Sequence, residues 1–171
     1  MKFSTVFVAA SALVAGVTAD YATVKTDVQN IQTSVGKLYA ALKNTDGTSY
    51  SEALAIDSAS KSLNNDIKQA NTDAQAVSSV TTAQAQALLT ILSNTYTNVS
   101  AASKRLIALK PAFTKLGVAG IAKSDVTALQ SSTKTFGATL VSKAPSSLKS
   151  SASALAAKYN AALASAAAAY A

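Results

Sequence analysis

Apolar residues spaced alternately by three and four positions are the feature that most constrains the fold of this chain. From residue 20 onward this spacing recurs in five segments. In the first of them the apolar positions are Val24, Val28, Ile31, Val35, Leu38 and Leu42. Such spacing places the apolar side chains on one face of an α-helix, and the alternation typical of strands is missing. The sequence therefore predicts an all-α fold, an up-and-down bundle of about five amphipathic helices.

Capping residues mark where the first three helices begin. Asp20 is a suitable N-cap for the first helix. Ser49 with Glu52, and Thr81 with Gln84, have the spacing of capping boxes, in which the two side chains satisfy each other's backbone N–H groups. Each box comes directly before an apolar-periodic segment, so the second and third helices are expected to begin there.

The later boundaries are predicted from proline and glycine. Pro111 is expected to stop or kink the third helix, leaving residues 113–116 as a separate turn. Residues 117–120 then read as a flexible connector, with the fourth helix starting near Ser124 and the fifth at Pro145. We also expect residues 117–120 to act as a hinge when helices four and five swing away from the others at a hydrophobic surface.

The first nineteen residues have the pattern of a secretory signal peptide. A lysine at position 2 precedes a mainly apolar run, and Val17, Thr18 and Ala19 form a small-residue cleavage site. The run is too short to span a bilayer, which takes about 20 residues. We therefore expect residues 1–19 to be removed and residues 20–171 to form one secreted domain, without a transmembrane segment and with a poor signal for a lipid anchor.

The residue inventory disfavours catalysis and metal binding. Cysteine and histidine are both absent, which removes the usual zinc ligands and the commonest general base. The eight acidic residues are dispersed, without the spacing of a calcium loop. The net charge is +7, but the chain has only one arginine and its lysines are scattered, unlike the basic face of a nucleic-acid binder. We expect a non-enzymatic protein without a cofactor.

Three hydroxyl residues interrupt the apolar seams of three helices: Ser60, Thr95 and Thr133. In one interpretation each hydroxyl bonds the carbonyl four residues earlier in its own helix. In the other they line an internal cavity and bind the polar head of an amphiphile, with Phe136 and Tyr159 as the largest side chains nearby.

One further candidate concerns modification rather than binding. Asn98, Val99 and Ser100 form an N-glycosylation sequon. Val99 lies on the apolar seam of the third helix, so Asn98 is expected to point sideways or outward.

Several runs resemble a known family. They are Asp20–Val24, Leu109–Gly117, Lys123–Leu129, Phe136–Gly137 and Lys143–Pro145, followed by an alanine-rich final helix that ends at Tyr170. Together they make the chain similar to the hydrophobic surface-binding protein A family of filamentous fungi, which includes cell-wall galactomannoproteins.

This resemblance implies a secreted, extracellular protein that binds hydrophobic surfaces, or lipids such as fatty acids held inside a helical bundle. It also implies help for degradative enzymes such as polyesterases in reaching solid substrates, and an association with cell-wall polysaccharide. The alternative is a structural or antigenic wall mannoprotein, a glycan-bearing bundle without a specific lipid ligand.

Overall fold

The computed structural model describes residues 20–171, and five α-helices account for most of them. Their bounds are α1 Tyr21–Asn44, α2 Tyr50–Ala76, α3 Thr82–Leu116, α4 Ala119–Lys143 and α5 Lys149–Ala169. A short 3₁₀ helix, Ser146–Leu148, precedes α5, and no strand occurs among these residues. The predicted all-α bundle is confirmed. The predicted signal peptide, residues 1–19, lies outside the described residues.

The predicted caps of α1 and α3 form as expected. The Asp20 carboxylate accepts a hydrogen bond from the backbone N–H of Thr23 at 2.8 Å. At α3 the capping box is complete, because Thr81 Oγ1 accepts from the Gln84 N–H and the Gln84 side chain accepts from the Thr81 N–H. Local side-chain chemistry thus sets these two helix starts.

The box predicted at Ser49 forms only in part. The Ser49 hydroxyl accepts from the Glu52 N–H at 3.4 Å, but the Glu52 carboxylate accepts from Thr45 Oγ1 at 2.6 Å instead of reaching back to Ser49. The same Thr45 hydroxyl accepts from the Gly47 N–H. Gly47 has φ 84°, and a Cβ there would lie 2.7 Å from that of Ala112, so the α1–α2 turn is packed tightly against α3.

The predicted break of the third helix at Pro111 is wrong, because α3 runs through it to Leu116. Pro111 is exposed, whereas Leu109 and Phe113 on either side are buried and anchor the helix across the missing N–H. Residues 113–116 are therefore the last turn of α3.

The predicted connector 117–120 is also shorter than expected. Gly117, with φ 81°, ends α3 in the left-handed conformation, and α4 begins at Ala119 rather than near Ser124. Val118 between them is buried, so the chain turns directly into α4. Gly120 lies inside α4, and opening of the bundle at this point stays a prediction. The fifth helix likewise begins later than predicted, since Pro145 leads into the 3₁₀ helix.

The helices form a ring, in the order α1, α2, α4, α5, α3. Successive helices in the chain run in opposite directions, so α2 and α4 are parallel. The hydrogen bonds Ser132–Asn64 and Thr139–Asn71 show their register, since both pairs are 68 residues apart. Because five helices surround a common axis, their apolar faces meet around a central space. Within residues 20–171 no helix is long and apolar enough to cross a bilayer.

Candidate functional site

An elongated cavity runs along the axis of the ring and takes lining residues from all five helices. On α3 the lining extends from Leu89 to Leu106, and 17 residues of helix rise about 25 Å. The shape therefore suits a long, narrow ligand.

The wall of this cavity is almost wholly apolar. Of its 27 lining residues, five carry a hydrogen-bonding side chain: Ser60, Ser103, Asp125, Thr133 and Tyr159. Among residues 20–171, no lysine or arginine belongs to the lining. In the described part of the chain no cluster of acidic residues could hold a metal ion. The cavity offers burial and a few hydrogen bonds.

The structure brings four of the five predicted ligand-binding residues to this wall, namely Ser60, Thr133, Phe136 and Tyr159. Their part in ligand binding stays a prediction. Thr95 is placed elsewhere: it is buried off the lining, and its hydroxyl donates to the carbonyl of Ile91 at 2.8 Å. Thr95 therefore follows the first of the two interpretations, in which the hydroxyl bonds its own helix, and it is not among the residues that line the cavity.

Tyr159 closes the wall between α3 and α5. Its hydroxyl donates to the Leu92 carbonyl at 2.7 Å, and its ring packs edge-on against Tyr96 with centroids 5.4 Å apart. Burial, followed by the nearby Tyr96, raises the pKa of Tyr159 well above its ordinary range. Tyr159 thus stays neutral and serves as a wall residue with a satisfied hydroxyl.

Ser103 and Asp125 are lining residues that the sequence interpretation missed. Ser103 is four residues after Val99 on the α3 seam, and this spacing is the signal that could have revealed it. Asp125 has no such signal, because it stands beside the seam residue Val126 and enters the cavity only at the edge of α4.

The Asp125 carboxyl is half-buried at the contact between α4 and α2. Burial, and then the neighbouring Asp57 carboxylate, raise the pKa of Asp125 to about 6, while Lys61 partly opposes this shift. Lys61 is exposed and forms an ion pair with Asp57 at 2.8 Å. Asp125, the one carboxyl group that the described residues contribute to the cavity wall, is thus held in a setting that disfavours negative charge.

A second groove lies on the surface between the first halves of α3 and α5. Its polar rim consists of Gln86, Thr90, Ser93, Asn94 and Ser151. Leu89 and Leu155, both half-buried, line the groove as well as the cavity. The two spaces therefore adjoin at these leucines.

Asn98 of the predicted sequon lies on α3, outside the cavity lining, and is half-buried. Its glycosylation stays a prediction.

The family model of hydrophobic surface binding protein A matches residues 21–142. The chain belongs to this family. The matched region covers α1 to α3 and nearly all of α4, which confirms the resemblance drawn from the sequence. No curated protein sequence matches the chain.

Solved structures extend the similarity to the whole bundle. The crystal structure of Afmp4p in complex with palmitic acid has a TM-score of 0.84 and 28% identity, covering 89% of this chain and 100% of that one. Ligand binding domain 1 of Penicillium marneffei MP1 protein, complexed with arachidonic acids, has a TM-score of 0.82 and 16% identity over 89% of this chain and 99% of that one.

Domain 2 of the MP1 protein, complexed with multiple arachidonic acids, gives similar values: a TM-score of 0.82 and 17% identity over 91% of this chain and 98% of that one. Both MP1 domains share the fold of this family member. The family is named for binding to hydrophobic surfaces, and the MP1 domains are named as ligand binding domains.

Proposed function

We propose that this protein is a non-catalytic carrier that takes the hydrocarbon chain of a fatty acid or a similar amphiphile into its central cavity. The observation that carries the proposal is the elongated, almost wholly apolar cavity enclosed by all five helices. Each methylene group moved from water to such a wall contributes about 0.8 kcal/mol, before the entropic cost of binding is subtracted. A long chain therefore gains affinity from length alone.

The similarity to Afmp4p supports the same proposal. That protein was solved with palmitic acid, and its whole length matches this chain at 28% identity. The MP1 domains, solved with arachidonic acids, support the fold.

The test is native mass spectrometry of delipidated protein with palmitic acid, in the wild type and in a variant with a filled cavity. Ala102 and Ala152 are buried lining residues, so Ala102→Leu with Ala152→Leu should reduce binding at least about tenfold by occupying the space. Ala55→Leu, on the exposed face of α2, is the matched control. A wild type that takes up no lipid, or a filled variant that binds equally well, would overturn the proposal. A densely glycosylated protein without lipid would favour the structural mannoprotein alternative.

We propose further that the protein acts outside the cell, on the basis of the leader-like residues 1–19. Mass spectrometry of protein from the culture medium should then find Asp20 as the first residue. A secreted polyesterase and cell-wall polysaccharide are the proposed partners, and co-sedimentation of each with the purified protein tests them separately.

Adsorption to hydrophobic surfaces is a second proposed function, and it is favoured by three exposed apolar side chains. Tyr50 and Leu54 lie in the first turns of α2, and Ile121 lies in the first turn of α4. Because α2 and α4 are parallel with an offset of 68 residues, these three side chains lie at the same end of the bundle. Replacing all three by serine should reduce adsorption to hydrophobic beads. Unchanged adsorption would contradict a role for these three side chains and would favour adsorption through an opened bundle.

A further inference from the structure

Two serine hydroxyl groups on the cavity wall make no hydrogen bond to the described part of the chain. Ser60 is 4% exposed and Ser103 is 7% exposed, and neither hydroxyl makes a hydrogen bond within residues 20–171. The buried hydroxyls of Thr95, Ser132 and Thr139 behave differently, because each donates to a carbonyl or an amide oxygen. The fold therefore keeps two hydroxyls available to something in the cavity.

The register of α1 and α2 gives the level of Ser60 along the cavity. The two helices are antiparallel, and the Ser34 hydroxyl donates to the Asp66 carboxylate at 2.5 Å. Counting from this pair in opposite directions places Ser60 level with residue 40, near the last turns of α1.

The register of α1 and α3 gives the level of Ser103. The Arg105 side chain donates to the carbonyl of Leu42 at 3.0 Å, so Ser103 lies within about one turn of the same part of α1. Ser60 and Ser103 therefore face the same end of the cavity from two different helices. Leu89 and Leu155, where the surface groove adjoins, line the opposite end.

Asp125 belongs to the same end. It faces Asp57 on α2, one turn before Ser60. None of the cavity-lining residues among 20–171 is basic. The charged groups that face Asp125 are Asp57 and the exposed Lys61, and the lining residues of α3 and α5 include none that is charged. A carboxylate anion would meet like charge here, and Lys61, the nearest basic group, is exposed and already paired with Asp57. A hydroxyl could donate to Asp125 and accept from a serine.

We propose that Ser60, Ser103 and Asp125 form a receptor for an uncharged head group that both donates and accepts a hydrogen bond, such as the hydroxyl of a long-chain alcohol or an undissociated carboxylic acid. The hydrocarbon tail then extends along the cavity toward Leu89 and Leu155. This inference rests on the proposed function, since it assigns the head-group end of the same cavity.

The experiment compares three sixteen-carbon probes on the delipidated full chain at pH 8: hexadecanol, palmitate and hexadecane. Each displaces a fluorescent reporter from the cavity. Wild-type protein should bind hexadecanol about tenfold more tightly than palmitate. The carboxylate cannot donate a hydrogen bond to Asp125, and the loss of one hydrogen bond accounts for a factor of about ten. Hexadecane, which has no head group, reports on the tail alone.

Variants locate the head group. Ser60→Ala and Ser103→Ala should each weaken hexadecanol binding about three- to tenfold and leave hexadecane unchanged. Ser132→Ala, a buried serine that does not line the cavity, should leave the affinities for all three probes unchanged. Asp125→Asn should improve palmitate binding and narrow the gap to hexadecanol. Ser103→Thr keeps a hydroxyl and should bind hexadecanol better than Ser103→Ala, and thermal melting checks that each variant is folded.

Two results would overturn the receptor while leaving the carrier function intact: palmitate that binds the wild type at least as tightly as hexadecanol, or serine variants that weaken hexadecane as much as hexadecanol. If none of the three probes binds the wild type, the carrier function and the receptor both fall.

Discussion

The α2–α4 contact and the α3–α5 contact are both made by parallel helices, yet they are closed in different ways. Between α2 and α4, side chains pair with side chains at a seven-residue interval, Ser132 with Asn64 and Thr139 with Asn71, each at 2.7 Å. Between α3 and α5, two tyrosine hydroxyls, those of Tyr159 and Tyr170, donate to backbone carbonyls of α3.

From this difference we expect α3 and α5 to separate more readily than α2 and α4. The α3–α5 hydrogen bonds begin at Leu92, and before that point the surface groove separates the two helices. Within α5 only Ala152, Leu163 and Ala166 are buried, so the helix contributes little apolar area to its own attachment. The α2–α4 wall is held by these side-chain pairs and by Lys143, which donates to the carbonyls of Gln75 and Val77. The α3–α5 wall depends on two tyrosine hydroxyls and on Lys110, which donates to the Ala169 carbonyl.

The largest effect is expected where Tyr170 secures the end of α5. Its ring is buried, its hydroxyl donates to the Leu106 carbonyl at 2.8 Å, and burial raises its pKa to about 12. Tyr170→Ala should lower the free energy of unfolding by about 3 kcal/mol, as large-to-small changes of buried aromatic residues do. Chemical denaturation measures this. Tyr50→Ala is the matched control, because Tyr50 is 55% exposed and should change stability by less than about 0.5 kcal/mol. Equal losses in the two variants would remove the special role given to the tyrosines of α5.

A smaller effect is expected at the α2–α4 wall. In a double-mutant cycle of Asn71→Ala and Thr139→Ala, the coupling energy should be about 1 kcal/mol, the net value of one hydrogen bond. The Thr139 hydroxyl also bonds the Thr135 carbonyl, so Thr139→Ala alone should be mild. A coupling energy near zero would mean that the polar pairs do not stabilise the α2–α4 contact, and it would contradict the difference drawn between this contact and the α3–α5 contact.

The smallest effect is a dependence of stability on pH. Burial, and then interactions with Asp73, raise the pKa of Asp27 from 3.8 to about 6, and Asp125 is raised to about 6 as well. Between pH 4 and 6 the folded state therefore binds more protons than the unfolded state, so these two groups make stability fall as pH rises. Both groups are partly solvated, which limits the loss to about 1 kcal/mol or less.

Paired variants isolate this effect. Asp27→Asn with Asp125→Asn should raise Tm at pH 7.5 and have little effect at pH 4. The exposed Asp20 and Asp46 have lowered pKa values and act with the opposite sign, but they are common to both proteins and cancel in the comparison. A variant that is less stable than the wild type at pH 7.5 would contradict the assignment of unfavourable charge to these carboxyls.

The parts of the fold that could be predicted from the sequence are those set by local chemistry. The apolar seam of α1 and the caps at Asp20 and Thr81 depend on residues within a few positions of one another, and the structure has them as expected. The predicted break at Pro111 was wrong because the burial of Leu109 and Phe113 outweighs the local tendency of proline to end a helix.

The site could be predicted only in part, because it depends on partners far apart in the chain. Ser132 and Thr133 are neighbours, yet Ser132 bonds Asn64, 68 residues away, whereas Thr133 lines the cavity. The roles of Ser103 and Asp125 follow from the order of the helices around the ring, and no spacing within a single helix contains that order.

The most direct test of the carrier function is a crystal structure with a sixteen-carbon alcohol that has bromine on its last carbon. Anomalous scattering locates the bromine independently of how the rest of the ligand is interpreted. The structure predicts one bromine inside the ring, next to Leu89 and Leu155, with the alcohol oxygen near Ser60 and Ser103. Bromine on the outer surface, with the cavity free of ligand, would contradict the claim that this protein encloses its amphiphile.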